Sequence, residues 1–147
     1  MNFSYISDKA KIHSSVKIGP YCVIGDNVEI GEGCLLHSHV AVTGYTKIGK
    51  NNTFHPFSSI GSAPQDLKYK GEKSFLVIGN NNKFRENVTI NPGTEGGGLY
   101  TKIKDYCLIM VGSHIAHDCM IGSNVILANN ATLAGHVEID NNSIIGG

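Results

Sequence analysis

From Ile6 to Ile60 every sixth residue is aliphatic or Phe: Ile6, Ile12, Ile18, Ile24, Ile30, Leu36, Val42, Ile48, Phe54 and Ile60. Eighteen residues on, the phase resumes at Ile78, Phe84 and Ile90. After a gap of thirteen it runs from Ile103 through Ile109, Ile115, Ile121, Leu127, Leu133 and Ile139 to Ile145. An amphipathic helix repeats its apolar residues every 3.6 positions and a half-buried strand every 2, so neither yields a strict six. A solenoid with short flat sides does, with one hexad to a side and three sides to a coil. The period predicts a parallel β-helix of about seven coils, roughly 34 Å long at the usual spacing of strand layers.

The rest of each hexad agrees. Gly follows the aliphatic residue in IGP, IGD, IGE, IGK and IGS, and Asn crowds the corners, as in Asn80–Asn82 and Asn129–Asn130. Both residues accept left-handed backbone angles at low cost. The fifth position is mostly small or β-branched (Ala10, Val16, Val28, Val40, Ala131, Val137) and points into a narrow prism. All four cysteines, Cys22, Cys34, Cys107 and Cys119, take that fifth place. They read as small buried hydrophobes, since no C-x-x-C pair argues for a disulfide or zinc. Hexapeptide patterns of this kind resemble the left-handed β-helix proteins, and the expected handedness comes from that resemblance. The fold expected is all-β, a left-handed parallel β-helix over residues 1–147 as one domain.

Two interruptions break the period, and both leave from the end of a hexad on the side that begins with Ile6, called side a. The first excursion is placed at Pro64–Val77 with twelve extra residues, the second around Thr94–Thr101 with seven. The run Gly93–Gly98 lacks the GK[ST] of a phosphate-binding loop and reads as a flexible corner insert. Insertions on one edge of a solenoid often build its binding site. Counting hexads places His117 third in the unit starting at Ile115, and His136 fourth in the unit starting at Leu133, one coil further on. His114 closes the hexad before Ile115. All three gather on the edge that carries the inserts. His13, His37, His39 and His55 scatter without a shared loop and read as exposed or stacking side chains.

Composition adds that Gly and Asn are abundant, Trp is absent and Leu is scarce, a mixture suited to turns and strands rather than helices. Twelve basic and twelve acidic residues balance to zero, leaving no basic footprint for nucleic acid and no polybasic membrane segment. No apolar run nears the roughly 20 residues that span a bilayer. The start, MNFSYISDKAKI, lacks the regions of a secretion signal, which places the protein in the cytoplasm.

Three chemistries fit the histidine cluster. Three imidazoles around zinc would resemble the gamma-class carbonic anhydrases, although the two histidines five apart of that group are absent. A non-catalytic reading has the histidines lining a groove between subunits of a β-helix trimerisation module. The third is general-base catalysis: imidazole accepts a hydroxyl proton near neutral pH, and Asp118 fixes its tautomer. Backbone N–H groups near Gly135 then stabilise an oxyanion, because glycine lets a substrate approach closely. With no nucleophile motif, direct attack by a substrate hydroxyl on an acyl donor is the simplest scheme.

The strings QDLKYKGE (Gln65–Glu72), GGGLYTK (Gly96–Lys102), HIAHDC (His114–Cys119) and ILANNATLAGHVEIDNNSIIGG (Ile126–Gly147) resemble the UDP-N-acetylglucosamine O-acyltransferases, the first enzymes of lipid A biosynthesis in Gram-negative bacteria. The resemblance covers the whole chain, inserts included. It implies transfer of a 3-hydroxyacyl group from acyl carrier protein to the 3-hydroxyl of UDP-N-acetylglucosamine. His117 matches the general base, Asp118 its orienting residue and Gly135 the backbone oxyanion donor. His114 and His136 match substrate-contacting histidines, and Gln65, Asp66 and Lys68 match sugar- and phosphate-contacting positions. A homotrimer with sites between subunits and no metal or organic cofactor is also implied.

The family continues for several more coils and a helical bundle, so the sequence reads as C-terminally truncated, with its activity open. The alternatives are the sister UDP-glucosamine N-acyltransferase, which carries an extra N-terminal domain, and an acetyltransferase of the same fold. The QDLKY loop favours the UDP-sugar reading over the latter.

Overall fold

The computed structural model describes residues 3–146. Three parallel sheets of seven strands each run the length of the chain, which winds as a left-handed β-helix. Side a runs from Tyr5–Ile6 through Val23–Ile24, Ala41–Val42, Ser59–Ile60, Thr89–Ile90 and His114–Ile115 to Thr132–Leu133. Side b begins at Lys11–Ile12 and ends at Glu138–Ile139, and side c runs from Lys17–Ile18 to Ile144–Ile145. Each strand ends on a residue of the six-residue series. The inserts do not disturb register: Ile60 pairs with Ile90 and Ile90 with Ile115, as though the coils were of ordinary length.

The aliphatic series forms the core. Ile24, Leu36, Val42, Ile60, Ile90, Ile109, Ile115 and Leu127 have no exposed surface, and the Phe54 and Phe84 rings stack at 4.8 Å. Fifth-position residues pack in the corners. The four cysteines are buried and free, and burial raises their thiol pKa values, which keeps them protonated and unreactive. Each thiol donates to a corner carbonyl fifteen residues on, as Cys119 does to Ala134 O at 3.2 Å. Asn82, expected at an outer corner, instead belongs to this inner column. Its Nδ2 donates to Lys104 O, its N–H to Asn52 Oδ1, and its Oδ1 accepts the Cys107 N–H. A buried amide survives there because its donors and acceptors bridge successive coils.

At many corners the left-handed angle falls on the fourth residue of the hexad, whatever its type, although Lys9, Ser15 and Asn27 do without it. Tyr21, His39, Phe57, Asn81, Asn130, Asp118 and His136 all take φ between 57° and 64°. At these corners the scaffold imposes that conformation even on residues that disfavour it.

Both inserts are shorter than expected. Phe75–Ile78 and Tyr100–Ile103 are four-residue strands that pair in register with each other, and Phe75–Ile78 also pairs with Tyr45–Ile48. Phe75 to Val77 and Tyr100 to Thr101 therefore belong to side b, not to loops. The glycine run is likewise ordered into a 3₁₀ turn, Glu95–Gly97. Among the described residues no helix is long and apolar enough to cross a membrane.

Candidate active site

The corner between sides a and b carries both inserts, and its sixth and seventh coils bring His117, Asp118 and His136 together. His117 and Asp118 are consecutive, yet the corner turns both side chains to one place. His117 Nδ1 lies 2.7 Å from Asp118 Oδ2, with the carboxylate only 1% exposed and the imidazole 15%. His136, one coil on, presents its ring edge-on to His117 at 5.0 Å and its Nδ1 to Asp118 Oδ2 at 3.8 Å. Its N–H donates to His117 O at 3.0 Å, the link that joins the two corners.

Asp118 is ionised by arrangement. Burial alone pushes its carboxyl up, but the Thr94 hydroxyl, the Thr94 N–H and His117 together bring it below the ordinary carboxylate value. The ionised acid fixes its neighbour's tautomer, since it accepts the proton on Nδ1 and leaves Nε2 as the basic nitrogen. Nε2 faces the first insert, where Asp66 Oδ2 stands 3.9 Å away.

The two inserts enclose a cavity of about 520 Å³ lined by Asp66, Lys68, Lys70, Glu72, Thr94 and His136, among others. Asp66 turns its own loop, accepting the Lys68 N–H at 2.9 Å. Of the residues expected to bind substrate, Asp66, Lys68 and His136 line this space. Gln65 is exposed and lies outside it. His114 also stands apart, half-buried on the outer face of side a, where Nδ1 pairs with Thr89 Oγ1 at 2.7 Å. Burial and the nearby His117 lower its pKa, so His114 is neutral at physiological pH.

Gly135 meets His117 directly. A Cβ at residue 135 would lie 2.6 Å from His117 Nε2, so the ring occupies the space that any other residue would fill. The sequence reading gave Gly135 a role toward substrate; its fit against the base is an additional reason for glycine.

His117, Asp118 and His136 offer nitrogen and oxygen atoms within 4.8 Å of one another, a spacing compatible with a cation. The shortest link in the group is nevertheless a hydrogen bond. Asp118 Oδ2 already accepts from His117 Nδ1 and from the Thr94 hydroxyl, so a metal that took this oxygen as a ligand would compete with both. Sequence reasoning missed Thr94, Glu72 and Lys70, which have no fixed place in the six-residue series relative to His117.

The comparisons with known proteins bear on the repeat and the fold. The family described as bacterial transferase hexapeptide (six repeats) matches residues 9–44 and 100–135. A curated acyl-[acyl-carrier-protein]–UDP-N-acetylglucosamine O-acyltransferase of Thermodesulfovibrio yellowstonii is 56% identical over 135 residues, 92% of this chain and 52% of that protein. A crystal structure of a UDP-N-acetylglucosamine acyltransferase superposes with a TM-score of 0.99 at 53% identity, covering 100% of this chain and 57% of the other. The Moraxella catarrhalis UDP-N-acetylglucosamine O-acyltransferase gives a TM-score of 0.97 at 45% identity, again over 100% of this chain and 57% of its own. The chain thus spans about half the length of the relatives it matches. With the repeat, both inserts and the fold in agreement across that span, the chain belongs to the UDP-N-acetylglucosamine O-acyltransferase family of hexapeptide-repeat transferases.

Proposed function

We propose that this chain carries the acyl-transfer centre of a UDP-N-acetylglucosamine O-acyltransferase, with His117 as general base. The observation that carries the reading is the 2.7 Å link between His117 Nδ1 and the buried Asp118 carboxylate, with Nε2 turned toward the insert that lines the cavity. His117 Nε2 takes the proton of the sugar 3-hydroxyl as that oxygen attacks the thioester carbonyl of a 3-hydroxyacyl acyl carrier protein. Asp118 stabilises the imidazolium that forms. The Gly135 N–H donates to the oxyanion. Collapse breaks the C–S bond and leaves the ester, and the proton on Nε2 passes to the departing sulfur. No enzyme nucleophile is consumed, in keeping with four buried, protonated thiols.

Lys68 and Lys70 give the cavity two cations for a diphosphate, while Asp66 and His136 flank the place of the sugar. Gln65 and His114 lie at its margins and act on parts of the substrates that extend beyond it. A homotrimer places further groups against this open edge. Acyl carrier protein is the donor and UDP-N-acetylglucosamine the acceptor, in a cytoplasmic step of lipid A assembly.

The test is an acyl-transfer assay with UDP-N-acetylglucosamine and hydroxyacyl carrier protein, on the protein at the full length of its relatives. His117→Ala lowers turnover by about a thousandfold without changing the circular dichroism spectrum, and a chelator leaves the rate unchanged. Inactivation by the chelator, restored by added zinc, would replace this reading with the metal one.

A further inference from the structure

Asp118 does not hold its own carboxylate in place. It sits at a corner with φ 60°, and the groups that fix it come from the second insert and the strand that follows. The Thr94 N–H donates to Oδ1 at 2.7 Å and the Thr94 hydroxyl to Oδ2 at 2.6 Å. The Asp118 N–H in turn donates to Thr101 Oγ1 at 2.8 Å, on a residue with no exposed surface. Gly97 closes over the same carboxylate, so that a Cβ there would fall on Asp118 Cγ and both oxygens. With the Asp118 side chain only 1% exposed, water does not replace these donors if they are lost.

Thr94 is itself held from the other side. Its carbonyl accepts the N–H groups of Gly97 at 3.1 Å and Leu99 at 2.8 Å. The next N–H, that of Glu95, donates to Glu72 Oε1 at 3.1 Å, while Glu72 Oε2 accepts the Lys70 N–H at 2.8 Å. The backbone of the second insert is thus fastened to the first insert at Glu95 and to the dyad at Thr94.

We propose that Thr94 is the positioning residue of the His117–Asp118 dyad, and that its N–H and hydroxyl select the orientation in which Asp118 Oδ2 accepts from His117 Nδ1. A buried carboxylate without fixed donors turns about its last torsion and presents either oxygen. Two donors from one residue, each bound to a different oxygen, remove that freedom. The hydroxyl also shares the charge on Oδ2 with His117, and so limits how strongly the carboxylate draws a proton onto the ring. The proposal rests on His117 acting as the base. The other titratable groups that act on the dyad are Asp66, His114, Cys119 and His136, and all four are retained in the test variants.

Thr94→Val keeps the shape and removes the hydroxyl donor, and Thr94→Ser restores it. In the full-length enzyme Thr94→Val lowers kcat roughly tenfold, as expected for one hydrogen bond to a charged group, with KM nearly unchanged. Thr94→Ser recovers to within about threefold of the parent. On this chain itself, the NMR titration of the His117 ring needs no turnover, and its midpoint moves to higher pH in Thr94→Val but not in Thr94→Ser. A Thr94→Val protein with parental kcat and an unmoved ring titration overturns the proposal. So does a Thr94→Ser protein as impaired as Thr94→Val, because the role would then be packing alone. His117→Ala at parental rate would instead strike the reading of the base and leave the ring titration as the arbiter for Thr94.

Discussion

His39 and His136 occupy the same place in the repeat. Both are fourth in their hexads, both are exposed, and both take the left-handed angle, φ 57° and φ 64°. At the corner between sides c and a, His39 stacks between Tyr21 at 4.9 Å and Phe57 at 5.0 Å, in a ladder that Phe3 extends. At the corner between sides a and b, His136 meets another imidazole edge-on and a buried carboxylate, under two inserts. One backbone slot therefore serves as surface in the first three coils and as site in the last two. What differs is what the neighbouring coil and the inserts set beside it. A repeat protein acquires chemistry where its period is interrupted, and the uninterrupted edge shows what the same slot does without that.

The largest expected effect separates the two corners outright. His117→Ala removes the base and lowers kcat/KM by about a thousandfold, while His39→Ala leaves it within twofold of the parent. Both are measured by acyl transfer in the full-length enzyme, with thermal melting to establish folding. A comparable loss from His39→Ala would mean that the ladder corner is part of the site and would break the contrast.

Much of this contrast is legible in the sequence. The strict spacing from Ile6 to Ile60 fixes the coil length, and coil length alone stacks residue 117 under 135 and residue 118 under 136 at one corner. The phase shifts after Ile60 and Ile90 place both inserts there too. The boundaries of the inserts were less legible, because FLVI and YTKI look like loop ends until they are seen to pair with Tyr45–Ile48. Alternation in FLVI, with Leu76 and Ile78 buried, was the available signal. Thr94 and Glu72 were not legible at all. Residues inside an insert lose the register that tells which atoms meet, and their partnership with Asp118 and Glu95 is a tertiary fact.

Gly135→Ala gives the next largest effect. The backbone tolerates alanine, but its Cβ would stand 2.6 Å from His117 Nε2, so the ring must move. A displacement of about 1 Å in a catalytic group lowers kcat roughly a hundredfold. Melting temperature changes little, since the ring yields rather than the core. Parental activity in this variant would show that the His117 ring has slack, against the tight fit of the site corner.

Acid stability sharpens the contrast within a single corner. Asp118 near one end of the helix and Asp26 near the other both have depressed carboxyl pKa values, Asp118 through Thr94 and His117 against its burial, Asp26 through Ser7 and Lys9. A depressed carboxyl contributes stability above its unfolded value, about 3.9, and loses it as the pH falls through the lower folded value. Asp118→Asn should cost about 1–3 kcal/mol in urea denaturation at pH 7, the penalty for upsetting a buried hydrogen-bonded charge. That gap should begin to narrow near about pH 4, where the unfolded chain starts to bind the proton, and close as the pH falls through the lower folded value. Asp26 is exposed and Lys9 more so, so Asp26→Asn should show little gap at either pH. Equal gaps for the two would mean that burial at the dyad contributes nothing.

The smallest effect is the most direct comparison, because it makes one substitution in both slots. Asparagine accepts the left-handed angle more readily than most residues and is already the resident at Asn130 and Asn142. At His39 it relieves the backbone but gives up the stacking of an exposed ring, two terms of about 0.5–1 kcal/mol each. His39→Asn should therefore leave stability within about 0.5 kcal/mol of the parent. At His136 the ring has no parallel stack to lose, and its approach to Asp118 is long and solvent-exposed, at 3.8 Å with the side chain 57% exposed. His136→Asn should raise stability by a few tenths of a kcal/mol while slowing acyl transfer. Histidine would then be the less comfortable residue at that corner, held there by what it does for the neighbouring dyad. If denaturation instead shows His136→Asn losing more than about 1 kcal/mol, the imidazole is structural, and the two corners differ less than their surroundings indicate.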